Sequence, residues 1–227
     1  MTAEQHVPAA DIPTSEDGPG PVTADDLACG VGLAVALLRQ PAALEGDWSR
    51  AAGSLSWDCW ETAEHLADDL FAYAAELGSP VGVTAEPVPF VLVRPAPEKP
   101  RSTIFADRAA GPEGLVRVLE SCGALLVAMV RTAAPETRAF HVFGLADAEG
   151  SAAMGLVETL VHADDVARGL GLAWEPPADL CARVLHRLFP DVPGGFAPWG
   201  TLLWATGRGE LPGLARRERW RWDSSVR

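Results

Sequence analysis

The sequence predicts an all-α protein, a helical bundle with one extended insertion and further helices toward its C-terminal end. Three observations predict it. Apolar residues recur at helical spacing in long stretches, most plainly at Trp60, Ala63, Leu66, Leu70, Ala74 and Leu77. Start and stop signals bracket those stretches. The connections between the long helices have room for crossovers, and no internal repeat is present, so a bundle is favoured over an α/β sheet.

Residues 1–22 are polar, carry Pro8, Pro13, Pro19 and Pro21, and have no periodic apolar face, so they read as a disordered tail ahead of a single domain over 23–227. Thr23 followed by Ala-Asp-Asp is a helix start, with an N-cap and acids in the first turn. That helix runs from about Ala24 to Arg39 and stops before Pro41. A second helix spans Trp57 to Leu77 and is ended by Gly78 and Pro80. Residues 81–110 differ: Val88–Val93 and Thr103–Phe105 flank a Pro-rich stretch, which predicts a short hairpin or extended excursion. Pro112, a favourable first helical residue, opens a third helix reaching about Thr132. A fourth lies within Asp147 to Gly169. Pro176-Pro177 opens a fifth that ends near Phe189-Pro190. A short helix from about Trp199 to Thr206 precedes a Trp- and Arg-rich tail. There Trp220 and Trp222 are expected to dock on their own chain, with a homodimer contact as the alternative.

Composition narrows the function. A chain of 227 residues, half of it hydrophobic, can bury a sizeable core. A net charge of −13 argues against nucleic acid and against an anionic membrane surface. Lys99 is the lone lysine; with the wealth of Arg, Ala, Gly and Pro, this is the composition of a GC-rich genome. No secretory leader and no apolar run of membrane-spanning length are visible, so a cytoplasmic location is expected. Cys29, Cys59, Cys122 and Cys181 sit in apolar helical contexts without C-x-x-C spacing and read as buried reduced thiols.

Glu158 and His162 are the most informative pair. Four residues apart on one helix, they leave the same face. His65, in the second helix, is the candidate third ligand. Two neutral imidazoles and a carboxylate make a three-ligand site with an open position, which suits a divalent metal, zinc foremost. Asp69, four after His65, and Asp165, three after His162, could orient the imidazoles from outside. Asp68 and Asp164 read as exposed helix acids. The plainer alternative stays open: a histidine on an apolar face is often core packing, and E-x-x-x-H recurs by chance on many helices. His141 either lines a pocket or simply packs, while His6 and His186 read as solvated. No metalloprotease, Walker, nucleophile-elbow or dinucleotide motif is present.

Four segments together resemble a known family: Trp57-Asp-Cys-Trp-Glu-Thr-Ala-Glu-His65-Leu, Phe143 to Gly150, Glu158 to Gly171, and Leu202-Leu-Trp-Ala-Thr-Gly-Arg208. Their order over roughly residues 24–222 is similar to the DinB-like superfamily, in the branch named for the N-terminal domain of mycothiol-dependent maleylpyruvate isomerase. The resemblance implies a four-helix bundle holding a divalent metal, often zinc, near one end. His65, Glu158 and His162 fall at the ligand positions. It further implies a low-molecular-weight thiol such as mycothiol as cosubstrate and a small electrophilic metabolite as substrate, in an S-transferase or isomerase. The isomerase's additional C-terminal domain has no counterpart after Arg168 beyond one helix and the Trp-rich tail, so maleylpyruvate itself is not implied. Two other functions fit the residues: a non-catalytic small-molecule binding or self-resistance protein, its tryptophans lining an apolar pocket, and a thiol-independent metal-assisted biosynthetic enzyme.

Overall fold

The computed structural model describes residues 18–79 and 86–226. Among them are seven α-helices and one 3-10 turn: α1 (Ala24–Leu38), α2 (Pro41–Leu44), α3 (Cys59–Leu77), the turn Arg108–Ala110, α4 (Gly111–Thr132), α5 (Ala148–Leu170), α6 (Ala178–Leu188) and α7 (Pro198–Ala205). No strand occurs among the described residues, so the all-α expectation holds. Local chemistry sets the helix starts. Thr23 and Asp58 each close a capping box, accepting from the backbone N–H three residues on while Asp26 and Glu61 reach back to the cap. Pro41, read from sequence as a stop, also opens the single turn of α2, because proline suits a first helical position.

Four long helices pack around a common core. α1 and α3 each lie against both α4 and α5, and α6 and α7 extend the assembly from the α5 side. α5 is the central element: of its residues only Ala148, Glu149, Arg168 and Leu170 are not buried. A helix covered on every side must satisfy any polar group it carries. Glu158, His162, Asp164 and Asp165 are such groups.

Several expectations change here. Asp68 and Asp164 are buried rather than exposed. Asp68 accepts the backbone N–H groups of Thr103 and Ile104, both at 2.7 Å, and Asp164 pairs with Arg168 at 2.8 Å. Cys29 is exposed, whereas Cys59, Cys122 and Cys181 are buried, all four as free thiols. α1 has no charged residue between Asp26 and its C-cap, so its sequence did not say which face is covered.

Of the expected hairpin, residues 81–85 lie outside the described segment. The remainder makes one antiparallel bridge, Val93 with Ser102. Prolines 87, 89, 95, 97 and 100 remove the donors a longer ladder would need. The segment is instead laced to α3 through that helix's acids. Val88 N–H donates to Glu76, Ala106 N–H to Glu64 and the Lys99 ammonium to Glu61, at 2.7 to 2.8 Å. Of the expected tail, residues 18–22 are described, and Val22 is buried in the core with its N–H on Glu149.

Candidate metal centre

α3 and α5 lie side by side and bring their polar residues to one place. His65 and Asp69 are one turn apart on α3; Glu158, His162 and Asp165 follow one another on α5. The two imidazoles meet edge to face with centroids 5.4 Å apart. One ligand atom from each of His65, Asp69 and His162 lies within 4.8 Å of the others. Asp69 therefore stands at ligand range itself, beyond the orienting role expected from sequence. Glu158 borders this trio, its Oε2 3.1 Å from His162 Nε2.

His162 is held on both nitrogens. Its Nδ1 lies 3.1 Å from Asp165 Oδ2, and Asp165 in turn takes the Arg208 guanidinium at 2.7 Å through Nη2 and at 3.0 Å and 3.2 Å through Nε. A carboxylate already clamped by a guanidinium is ionised, so it accepts from His162 Nδ1–H and leaves Nε2 facing Glu158, as an N–H donor to that carboxylate when the ring is protonated and as a lone pair when it is neutral. Gly53 (φ +54°) lets the 51–58 loop press on this clamp; a Cβ there would come 2.9 Å from Asp165 Oδ1. The other half of the centre is lighter. His65 Nε2 lies 3.2 Å from Asp69 Oδ2, and the Trp57 ring sits on the His65 ring with centroids 4.8 Å apart. The side chains of His65 and Asp69 are each 20% exposed, against 6% for His162 and 2% for Asp165, so the centre opens on the α3 side.

Protonation follows from burial and neighbours. Burial pushes His65 down to about 4, helped by the charge of His162, so it is neutral near pH 7. Burial also opposes charge on His162, but hydrogen bonds to Asp165 and Glu158 outweigh it and its pKa is raised. Burial lifts Asp69 well above the usual carboxylate range, with Glu158 and Asp68 pushing the same way. Burial works against ionised Glu158 and Asp165 too, yet the His162 hydrogen bond and the cations nearby keep both below their usual values.

These residues fit a divalent cation on three counts. Two donors each about 2.0–2.1 Å from a tetrahedral metal lie roughly 3.3 Å apart. The pairs His65 Nε2–Asp69 and His162 Nε2–Glu158, at 3.2 Å and 3.1 Å, stand near that spacing. His65 Nδ1 is buried and makes no hydrogen bond among the described residues, a spare capacity that buried rings rarely carry. Charge gives the third count. Asp69, Glu158 and Asp165 supply three carboxylates and Arg208 one cation, which leaves two negative charges if both imidazoles are neutral. Either two protons, on His162 and Asp69, or one dication restores neutrality.

His141 lies outside the trio. It stacks on Trp222 at 5.8 Å and meets Tyr73 and Phe143 edge-on at 5.9 Å and 5.2 Å. Burial pushes it down to about 4. Tyr73 ties this aromatic wall to the centre, because its hydroxyl hydrogen-bonds Glu158. Trp222 is buried on its own chain, as expected of the tail. Sequence reasoning did not assign roles to Arg208, Tyr73 or Trp57. Tyr73 follows Asp69 by the four-residue step that separates Asp69 from His65, so its face was readable; nothing local to Arg208 announces that it spans 43 residues to Asp165.

Comparison of the chain with protein-family models, with curated proteins and with solved structures found no match.

Proposed function

We propose that the protein is a divalent-metal-dependent enzyme of the DinB-like four-helix-bundle type. In this reading it is an S-transferase or isomerase that joins a low-molecular-weight thiol, such as mycothiol, to a small electrophilic metabolite. The observation that carries it is the convergence of His65, Asp69 and His162 within 4.8 Å, bordered by Glu158. Zinc is the favoured metal, because two imidazoles with carboxylate oxygens form a donor set that suits it. When bound, such a cation supplies Lewis acidity, lowering the pKa of a coordinated thiol or water.

The chain's own residues divide the work. The Arg208–Asp165 clamp fixes the His162 tautomer and aims Nε2 into the centre. His65, neutral at working pH, can donate its lone pair without first losing a proton. Asp69 and Glu158 supply the negative charge. Tyr73 holds the Glu158 carboxylate in place through its hydroxyl. The partly exposed His65–Asp69 edge is where thiol and electrophile would enter. A cytoplasmic location is part of this proposal; the four cysteines are free thiols, and no described helix is long and apolar enough to cross a membrane.

The test is metal analysis of protein purified without chelator, followed by zinc titration of wild type, His65→Ala and His162→Ala. One bound metal in the wild type and none in either variant is expected. Thiol consumption with a panel of small electrophiles should then require both metal and thiol. A wild type that takes up no divalent metal would remove the reading. Metal-dependent turnover without any thiol would replace its thiol step with attack by water.

A further inference from the structure

α1 carries a feature that the metal centre does not use. Its outward strip consists of Asp25, Ala28, Cys29, Gly32, Leu33 and Ala36, all exposed, followed by Arg39 at the C-cap. Between Asp25 and Arg39 that strip is uncharged. A helix apolar on every side is ordinarily covered on every side. Beside it, Gly123, Ala124, Val127 and Ala128 of α4 complete a shallow groove of about 370 Å³, with Glu120 and Arg131 at its ends. Leu125, 50% exposed, lies on the same helix.

Gly32 is the telling residue. Glycine weakens a helix interior relative to alanine, so one in mid-helix needs a reason. Gly30 has one, since a Cβ there would collide with Leu156, and Gly123 has one in Val31. A Cβ on Gly32 would meet nothing within 4 Å, and its backbone is ordinary helix. No contact within the described chain calls for glycine at this position. A backbone approaching from outside would.

The charges indicate which backbone. Asp25 and Arg39 each stand seven residues from Gly32, roughly 10.5 Å along the axis in opposite directions. A two-fold axis through Gly32 lays a second α1 antiparallel on the first. Each Asp25 then faces the partner copy's Arg39, and the helix dipoles oppose. Asp25 already pairs with Arg131, and Arg39 with Glu120 and Glu113, so the ends close as mixed-charge clusters rather than as like charges. On a chain of net charge −13, self-association needs a face where cations offset most of the carboxylates, and here Arg39 and Arg131 stand against Asp25, Glu113 and Glu120.

We propose that a second copy of this chain docks here, forming a two-fold homodimer in which the α1 helices cross antiparallel at Gly32. Sedimentation velocity of the full chain over a concentration series should show a monomer–dimer equilibrium. Gly32→Glu should be monomeric at every concentration while keeping its helical circular dichroism and melting temperature. With Cys29→Ser in the background, Gly32→Cys should give a disulfide-linked dimer under mild oxidation, because the axis brings the two positions together. Glu210→Cys, exposed on the loop after α7 and outside the groove, should not. A wild type that stays monomeric throughout overturns the proposal, whatever else binds the groove. So does a Gly32→Glu variant that dimerises like wild type, or a Gly32→Cys variant that cross-links no better than Glu210→Cys.

Discussion

The two halves of the candidate metal centre are built differently. On α5, His162 is enclosed by Glu158, Asp165 and Arg208, and nearly every atom is out of water. On α3, His65 and Asp69 are partly exposed, and one His65 ring nitrogen has no hydrogen-bond partner among the described residues. The enclosed half holds a geometry; the open half leaves room for something to bind. A site that must bind and release small molecules needs both, since ligand atoms are positioned well only where supporting groups lock them.

The comparison breaks most severely at Arg208. Arg208→Ala leaves Asp165, 2% exposed, without its cation, and stripping one partner from a buried pair costs about 3–5 kcal/mol. Urea denaturation should show that loss, whereas His65→Ala on the open side should abolish metal uptake with a much smaller change in stability.

The two imidazoles should also respond to pH in opposite senses in metal-free protein. The folded pKa of His65 lies near 4, below its unfolded value of 6.5. Its stabilising contribution is therefore present above about pH 6.5 and drains away as pH falls toward 4, by up to ~3 kcal/mol at 1.36 kcal/mol per pKa unit. His162 is raised, so its contribution is present below about 6.5 and is lost as pH rises through its folded pKa. Unfolding midpoints followed against pH should lose their acid limb in His65→Gln. If that limb is unchanged, His65 is not the group responsible.

Next in size, Asp165→Asn keeps the shape but weakens the hold on His162 Nδ1, and zinc affinity should drop on the order of 10–100-fold by competition titration. Both His162 and Asp69 hold their protons to higher pH than usual in the metal-free fold, so zinc uptake below their folded pKa values should release protons, measurable by calorimetry in buffers of different ionisation enthalpy. The smallest effect is expected at Gly53→Ala. It places a methyl 2.9 Å from Asp165 Oδ1 at a positive φ and should cost about 1–2 kcal/mol of stability. Its zinc affinity should fall less than that of Asp165→Asn.

Helix positions were legible because capping and periodicity are local. Thr23, Asp58, Pro112 and Gly78 announce their ends within a few residues, and the boundaries agree with the structure to within a turn. The pairing of His162 with Glu158 and Asp165 was equally legible, since one helix dictates it. The insertion was less so. Its prolines forbade a regular ladder, and the groups that satisfy its backbone, Glu64, Asp68 and Glu76, sit on another helix, where Asp68 read as an exposed acid and Glu64 and Glu76 carried no assigned role.

By itself, then, the sequence determined the all-α class, the helix ends and the face that His162 shares with Glu158, all consequences of contacts three or four residues apart. Only the tertiary structure decided that Asp69 stands at ligand range, that Arg208 closes the clamp on Asp165, and that α1 keeps an apolar face uncovered. Those depend on how α3, α5 and the α7 turn pack against one another, and packing over such separations is set by the shape of the whole core.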